Sequence, residues 1–289
     1  MKLRILVLFL IFALLLGGFT ACGRERTPYV PSPVMVGAVF ATYEFGIVFN
    51  RGNALLRDQV WAALQVLSAN GTVADIAHFW FGYDPTFIPP NPYATRALGE
   101  VRERTLIVGF DPGAAPNSFF NSTGDLVGFD IDLAQAVADY FGWTVEFLPI
   151  RWADREFELQ SGNIDALWGG ATLTEQVSER LYHTPPYMEN RQVFVTMSDS
   201  GVRNLRGLRN GRLAFLSASG AEQALIENES FRNSLGELVP EELLYAALTA
   251  LEAGDVDAVL MNEVAAAYYI RTRDTAAFGG RTPIVFEVR

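Results

Sequence analysis

No stretch constrains the fold of this chain more than Gly124 to Gly170, GDLVGFDIDLAQAVADYFGWTVEFLPIRWADREFELQSGNIDALWGG, where helical and strand periods alternate. Ile131, Ala134, Val137, Ala138 and Phe141 recur at helical spacing, and Asp130 and Asp132 stand where acids favour a helix N-terminus. Gly142 ends that helix. Thr144 to Leu148 is β-branched and aromatic and closes at Pro149, which reads as a strand. Phe157, Leu159 and Gln160 belong to a second helix that leads through Ser161-Gly162 into a strand from Asp165 to Trp168. Such βαβα alternation predicts an α/β fold with an open, mostly parallel sheet covered by helices.

The chain has 289 residues, half of them hydrophobic (50%), enough for one large core or two modest ones. Its formal charge of -11 gives no reason to expect a nucleic-acid partner. Cys22 is the single cysteine, so an intrachain disulfide is impossible. Ahead of it, Lys2 and Arg4 form a positive n-region and Ile5 to Leu16 an unbroken apolar run. That run is too short for a bilayer span, which takes about 20 residues. With small residues and one Phe before Cys22, the leader resembles a lipoprotein signal whose lipobox is Phe19-Thr20-Ala21-Cys22. Acyl chains on Cys22 would anchor the domain at a membrane without spanning it.

A polar tether, Gly23 to Pro33, comes next. Val34 to Phe49 reads as extended, with a bend near Thr42 to Glu44; Leu55 to Leu67 is an amphipathic helix closed by Asn70-Gly71, and Thr72 to Phe81 a second short helix. Tyr83 to Arg104 carries Pro85, Pro89, Pro90 and Pro92 without periodicity and reads as a linker. Thr105 opens a strand, TLIVGFD, and Val193 to Met197 is another. After it come the strand Leu213–Leu216, the turn Ser217-Ala218-Ser219-Gly220, a helix from Ala221, an irregular acidic stretch, a helix near Leu243 to Leu251, the strand Ala258–Met261, a helix over Asn262–Ile270 and a last strand, Ile284–Val288.

The run GxLVGFDxDLAxAxA from Gly124 to Ala138, the LQSGxxDA turn from Leu159 to Ala166 and the GxTxT strand end from Gly170 to Thr174 occur in one order. On these elements the chain resembles the bacterial solute-binding proteins of polar amino-acid uptake systems, the two-lobed family 3 type. The resemblance implies a type II periplasmic-binding-protein fold, two mostly parallel sheets with flanking helices joined by hinge strands. Glu44 to Gly82 looks like the closing segment that this family usually carries at its C-terminus, which implies a circular permutation. The expected organisation is signal 1–22, tether 23–33, closing segment of the first lobe with hinge strand 34–82, linker 83–104, main part of the first lobe 105–195 and second lobe 196–289. Val34–Val39 and Ile284–Val288 both resemble one hinge-side strand, so the permuted chain would carry a short duplicate.

Ligands of open α/β sheets bind outside the carboxyl ends of the strands. Asp111, at one such end, reads either as an acceptor for a ligand ammonium or hydroxyl or as a turn cap. Phe119 and Phe120 read as ligand platform or as core, and Trp152 stands where the family places a stacking aromatic. Gly170, Thr172 and Thr174 offer backbone N–H groups and hydroxyls, and Ser217, Ser219 and Gly220 do the same from the second lobe. Family members that grip α-amino acids carry an arginine where this chain has Val177, and an aspartate where it has Asn262. Arg180, one helical turn beyond Val177, either replaces that arginine or is a solvated surface residue.

The resemblance thus implies an extracytoplasmic, membrane-anchored lipoprotein, a monomer that closes on a small polar solute and presents it to an ABC transporter permease. The implied set includes neither cofactor nor metal. His78 and His183 are the only histidines, and the sequence contains no nucleophile triad, zinc motif or Gly-rich phosphate loop. Two alternatives stay open: a periplasmic dehydratase of small carboxylic acids, with Glu175, Glu179 and Glu263 as its nearest acids, and a ligand-less adaptor.

Overall fold

The computed structural model describes residues 31–121 and 123–273. The leader, Cys22, most of the tether and the strand expected at Ile284–Val288 lie outside the described residues. Among the described residues the strands run in order: β1 Pro33–Phe45, β2 Val48–Phe49, β3 Thr105–Phe110, β4 Gly113–Ala114, β5 Ser118–Phe120, β6 Leu126–Val127, β7 Thr144–Pro149, β8 Ala166–Leu167, β9 Tyr182–His183, β10 Met188–Met197, β11 Arg212–Leu216, β12 Glu237–Glu241 and β13 Ala258–Asn262. The helices are α1 Ala54–Ala69, α2 Thr72–Phe81, α3 Phe129–Phe141, α4 Arg155–Ser161, α5 Glu175–Arg180, α6 Gly220–Glu227, α7 Glu229–Arg232, α8 Leu244–Ala253 and α9 Glu263–Arg273.

The α3 helix forms where the apolar spacing demands it. Phe129, Leu133, Ala134, Val137 and Ala138 bury one face, and Gly142 stops the helix in the left-handed region at φ 70°. Its buried face packs with Leu56, Val60 and Leu64 of α1 over Leu106 and Val108 of β3. That layer covers one side of a sheet ordered β7-β3-β8-β2-β9. On the other side Val48, Ile150, Leu159, Ile164 and Val177 make a smaller core. The second sheet, ordered β1-β10-β13-β11-β12, divides its side chains by strand period: Val195, Ala214 and Val259 enter one core, and Phe194, Leu213, Phe215 and Leu260 the other.

Within each sheet the pairs linked through helices, β3 with β7 and β8, and β11 with β12 and β13, are parallel. β1, β2, β9 and β10 pair antiparallel to their neighbours, because they belong to segments that pass from one sheet to the other. β1 and β10 are the long crossing pair, joined from Pro33 opposite Met197 to Phe45 opposite Met188 with one shift of register. The irregularity in β1 falls between Val36 and Ala41, earlier than the expected bend, where Gly37 supplies a left-handed φ of 78°.

Two further departures have clear causes. The acidic stretch expected to be irregular contains β12, whose Pro240 and glutamates are tolerated because it is the edge of its sheet. The linker is irregular but tied down: Phe87 N–H donates to the Tyr187 carbonyl, Asn91 N–H to Gln65, and Ser68 Oγ to Ile88, whose side chain is buried in the core of the first sheet.

Candidate functional site

The carboxyl ends of β3, β7 and β8 in one sheet and of β11 and β13 in the other point at a common cleft. Asp111 follows β3, Trp152 follows β7, Gly170 and Thr172 follow β8, Ser219 and Gly220 follow β11, and Asn262 ends β13; all of them line one cavity of about 60 Å³. A second cavity, of about 270 Å³, adjoins it and shares Thr172 and Ser219 as walls. The β8 end is strapped to the crossing strand: Gly46 N–H donates to the Ala171 carbonyl at 3.1 Å and Leu173 N–H to that of Glu44 at 2.8 Å. On the opposite wall, a Cβ on Gly220 would sit 3.1 Å from the amide nitrogens of both Asn190 and Gln192, so the α6 start approaches β10 as only glycine comfortably allows.

Asp130 organises the floor. It is fully buried, and its Oδ2 accepts from Asn117 Nδ2 at 2.9 Å and from Gly170 N–H at 3.1 Å, while Oδ1 accepts from the Tyr187 hydroxyl at 2.7 Å. One carboxylate thereby fixes a cleft loop, the start of β5 and the start of the crossing strand. Burial pushes its pKa up to about 6, against the pull of those donors, the largest being Asn117 and Tyr187. Sequence reading takes Asp130 as a helix-start acid only; no local signal distinguishes a buried hub from a solvated cap.

Of the residues singled out in the sequence, Asp111, Trp152, Gly170, Thr172, Ser219, Gly220 and Asn262 come together at the first cavity. Asp111 accepts from Gly113 N–H at 2.8 Å, and burial raises its pKa to about 6 with that hydrogen bond opposing. Asn262 accepts from Ala265 N–H at 2.8 Å and caps α9. Thr174 lines the second cavity and caps α5, accepting from Val177 N–H at 3.3 Å.

Three residues fall elsewhere. Phe119 is 3% exposed and packs between Trp80 and Tyr268, ring centroids 5.8 and 5.5 Å away, which is the core option of the two. Ser217 lines neither cavity and donates its N–H to the Glu241 carbonyl at the far edge of the sheet. Arg180 is largely exposed, lines neither cavity and lies 3.5 Å from Glu156, a residue of the second cavity's wall, in an ion pair, because the short α5 turns it outward.

Sequence reasoning missed Asn190 and Gln192, which line the first cavity from β10. Asn190 Nδ2 donates to Thr172 Oγ1 at 2.9 Å and Gln192 Nε2 to Asn190 Oδ1 at 2.6 Å. Their alternation on a buried strand was the available signal, since amides at period two face one side. Arg155, which lines the second cavity, was also missed. Among the described residues no cluster of three or more His, Cys, Asp or Glu is placed to hold a metal ion, and no helix is long and apolar enough to cross a membrane.

Two α/β sheets bridged by crossing strands, with a polar cleft at their strand ends, define a two-lobed binding-protein architecture. The family model of bacterial extracellular solute-binding proteins, family 3, matches residues 106–234, and the chain belongs to that family. It is 31% identical over 180 residues to the histidine-binding periplasmic protein of Escherichia coli K12, a match covering 60% of this chain and 66% of that protein. A solved ABC uptake transporter substrate binding protein from Streptococcus pneumoniae with bound histidine superposes with TM-score 0.57 at 31% identity, covering 60% of this chain and 71% of that one. The ancestral amino acid-binding protein AncCDT-1, a precursor of cyclohexadienyl dehydratase, matches with TM-score 0.55 at 28% identity, over 63% of this chain and 77% of that one.

Proposed function

We propose that this chain is the extracytoplasmic receptor of an ABC-type importer, and that its two lobes close on one small, polar, amino-acid-like solute. The observation that carries the reading is the polar cleft itself: hydroxyls and bare backbone at the ends of β8 and β11 face each other from different sheets across Thr172 and Ser219. Binding groups split between two lobes reward closure, because a ligand touching both stabilises the closed state relative to the open one. The first cavity, about 60 Å³, holds only a few waters at roughly 10–15 Å³ each, so the lobes must part to admit a solute. The matched family and the histidine- and amino-acid-binding proteins similar to this chain support the same reading.

The proposed organisation is permuted, with residues 34–82 supplying the hinge strand and the closing segment of the first lobe, 83–104 linking, 105–195 forming its main part and 196–289 the second lobe. It is supported by the match that opens at residue 106 and by β2, from far up the chain, pairing between β8 and β9. The protein works as a monomer anchored through lipid on Cys22. Cys22→Ser should therefore move it out of the membrane fraction, and retention there would count against the anchor.

A thermal-shift screen against amino acids, amines, hydroxy acids and sugars tests the receptor reading, since a ligand confined to the folded state raises the melting temperature. At least one small polar solute should do so, and a screen in which none does would contradict the proposal. An enzymatic reading keeps one supporting observation, a cleft carboxyl at Asp111 whose pKa of about 6 suits proton transfer. Its discriminating result is chemical change in the solute that binds.

A further inference from the structure

Val177, where the family resemblance implies an arginine, lines the second cavity, about 270 Å³. An apolar side chain thus leaves that wall of the cavity without a charge. Arg155, at the start of α4, borders the same space, and among the described residues it is the only basic side chain lining either cavity. Its Nη1 donates to the Trp152 carbonyl at 2.8 Å, and its guanidinium lies over the Trp152 ring, 5.1 Å from the centroid. Trp152 in turn walls the first cavity. The neighbouring Glu156 pairs with Arg180, and no described carboxylate comes within ion-pair reach of Arg155. A guanidinium fork with five donors is thus held by stacking and one hydrogen bond at the edge of a cavity that Glu156 and Glu222 also line, neither of them in an ion pair with it.

We propose that Arg155 is the anion clamp of this cleft, and that the solute is a small carboxylate whose carboxyl group lies in the cavity over Val177 while its body passes between Thr172 and Ser219 toward Trp152. This deepens the receptor reading and rests on it. Partial burial holds the Arg155 pKa below its ordinary value, with Glu156 opposing, so a bound anion would relieve a cation that the fold has desolvated. Glu222, on the opposite wall, accepts from Ala218 N–H at 2.6 Å and faces the same cavity, which favours a hydroxyl or ammonium donor elsewhere on the solute. Asn262, where the resemblance implies an aspartate, is neutral and leaves Asp111 as the acid of the first cavity, so Arg155 is the charged group left to select the solute's carboxylate.

The test is titration calorimetry of the purified full chain with lactate, succinate, γ-aminobutyrate and glutamate, set against lactamide, succinamide, putrescine and glucose. One of the carboxylates should bind, its amide should bind at least about tenfold more weakly, and Arg155→Gln should weaken the carboxylate by about tenfold or more, with Arg155→Lys between. Arg180→Gln should stay within about twofold of the parent. The melting temperature of unliganded Arg155→Gln separates lost binding from lost folding; if that variant fails to fold, the acid-against-amide comparison in the parent decides. A solute that binds equally as its amide, or undiminished in folded Arg155→Gln, overturns the Arg155 assignment alone. Binding of none of the eight, after a broader screen that also finds no ligand, overturns the receptor reading and this inference together.

Discussion

Asp130 shows how one residue ties chemistry to architecture. Its two oxygens satisfy three donors that belong to Asn117, Gly170 and Tyr187, so truncating it strands all three in the core. Asp130→Ala should destabilise the protein by about 3 kcal/mol in urea unfolding, at the upper end for an unmade buried network; a loss under about 1 kcal/mol would contradict the hub. Asp111 and Asp130 share a pKa raised from 3.8 to about 6 by burial. Both hold their protons more readily in the fold than in the unfolded chain. Each therefore supports folding fully below pH 3.8, and that support is lost as the pH rises through about 6. Asp111→Asn keeps the acceptor for Gly113 N–H and removes the titration, so its melting temperature should fall less across that window than the parent's. An identical fall would show that Asp111 does not titrate there. Neither role is legible in the sequence, because burial of a lone acid depends on which distant segments cover it.

At the scale of elements, legibility followed local periodicity. The α1 and α3 helices and the strands β3, β7, β11 and β13 carry their own patterns, and the structure contains them close to the expected positions. β12 was missed because an edge strand tolerates the proline and charges that otherwise mark a loop. The segment between α2 and β3 lacks periodicity and carries one short 3-10 turn, Ala94–Ala97, but its packing is invisible in the sequence: Ile88, 4% exposed, is buried in the core of the first sheet and Val101 packs against it. Ile88→Ala should cost about 2–4 kcal/mol, the usual penalty for truncating a buried aliphatic side chain, measured by chemical denaturation. A cost near zero would mean that the segment is only a tether. For the cleft, the residues at strand ends were legible because topology alone brings carboxyl ends together. Arg155 lines the second cavity and Arg180 lines neither, because helix rotation, which no spacing rule fixes for elements as short as α4 and α5, decides which side chain meets the cavity.

At the scale of the molecule, two sheets are joined by the long β1–β10 pair, and α9 braces them. Val264 enters the core of the first lobe while Ala265 and Ala266 enter that of the second, and Arg271 donates to the Trp80 carbonyl at 2.9 Å. Such a brace is compatible with rotation about the crossing strands, provided the cleft contacts are few enough to open, and the direct bond from Asn190 to Thr172 is the tie nearest the solute. On the proposed function, a small solute closes the lobes. Spin labels at Gln160→Cys in α4 and Ser230→Cys in α7, both exposed positions in different lobes, in a Cys22→Ser background, measure this directly by electron–electron double resonance. The distance distribution should be broad or longer without solute and collapse to one short distance when the solute found by screening is added. A solute that binds tightly and leaves the distribution unchanged would contradict closure.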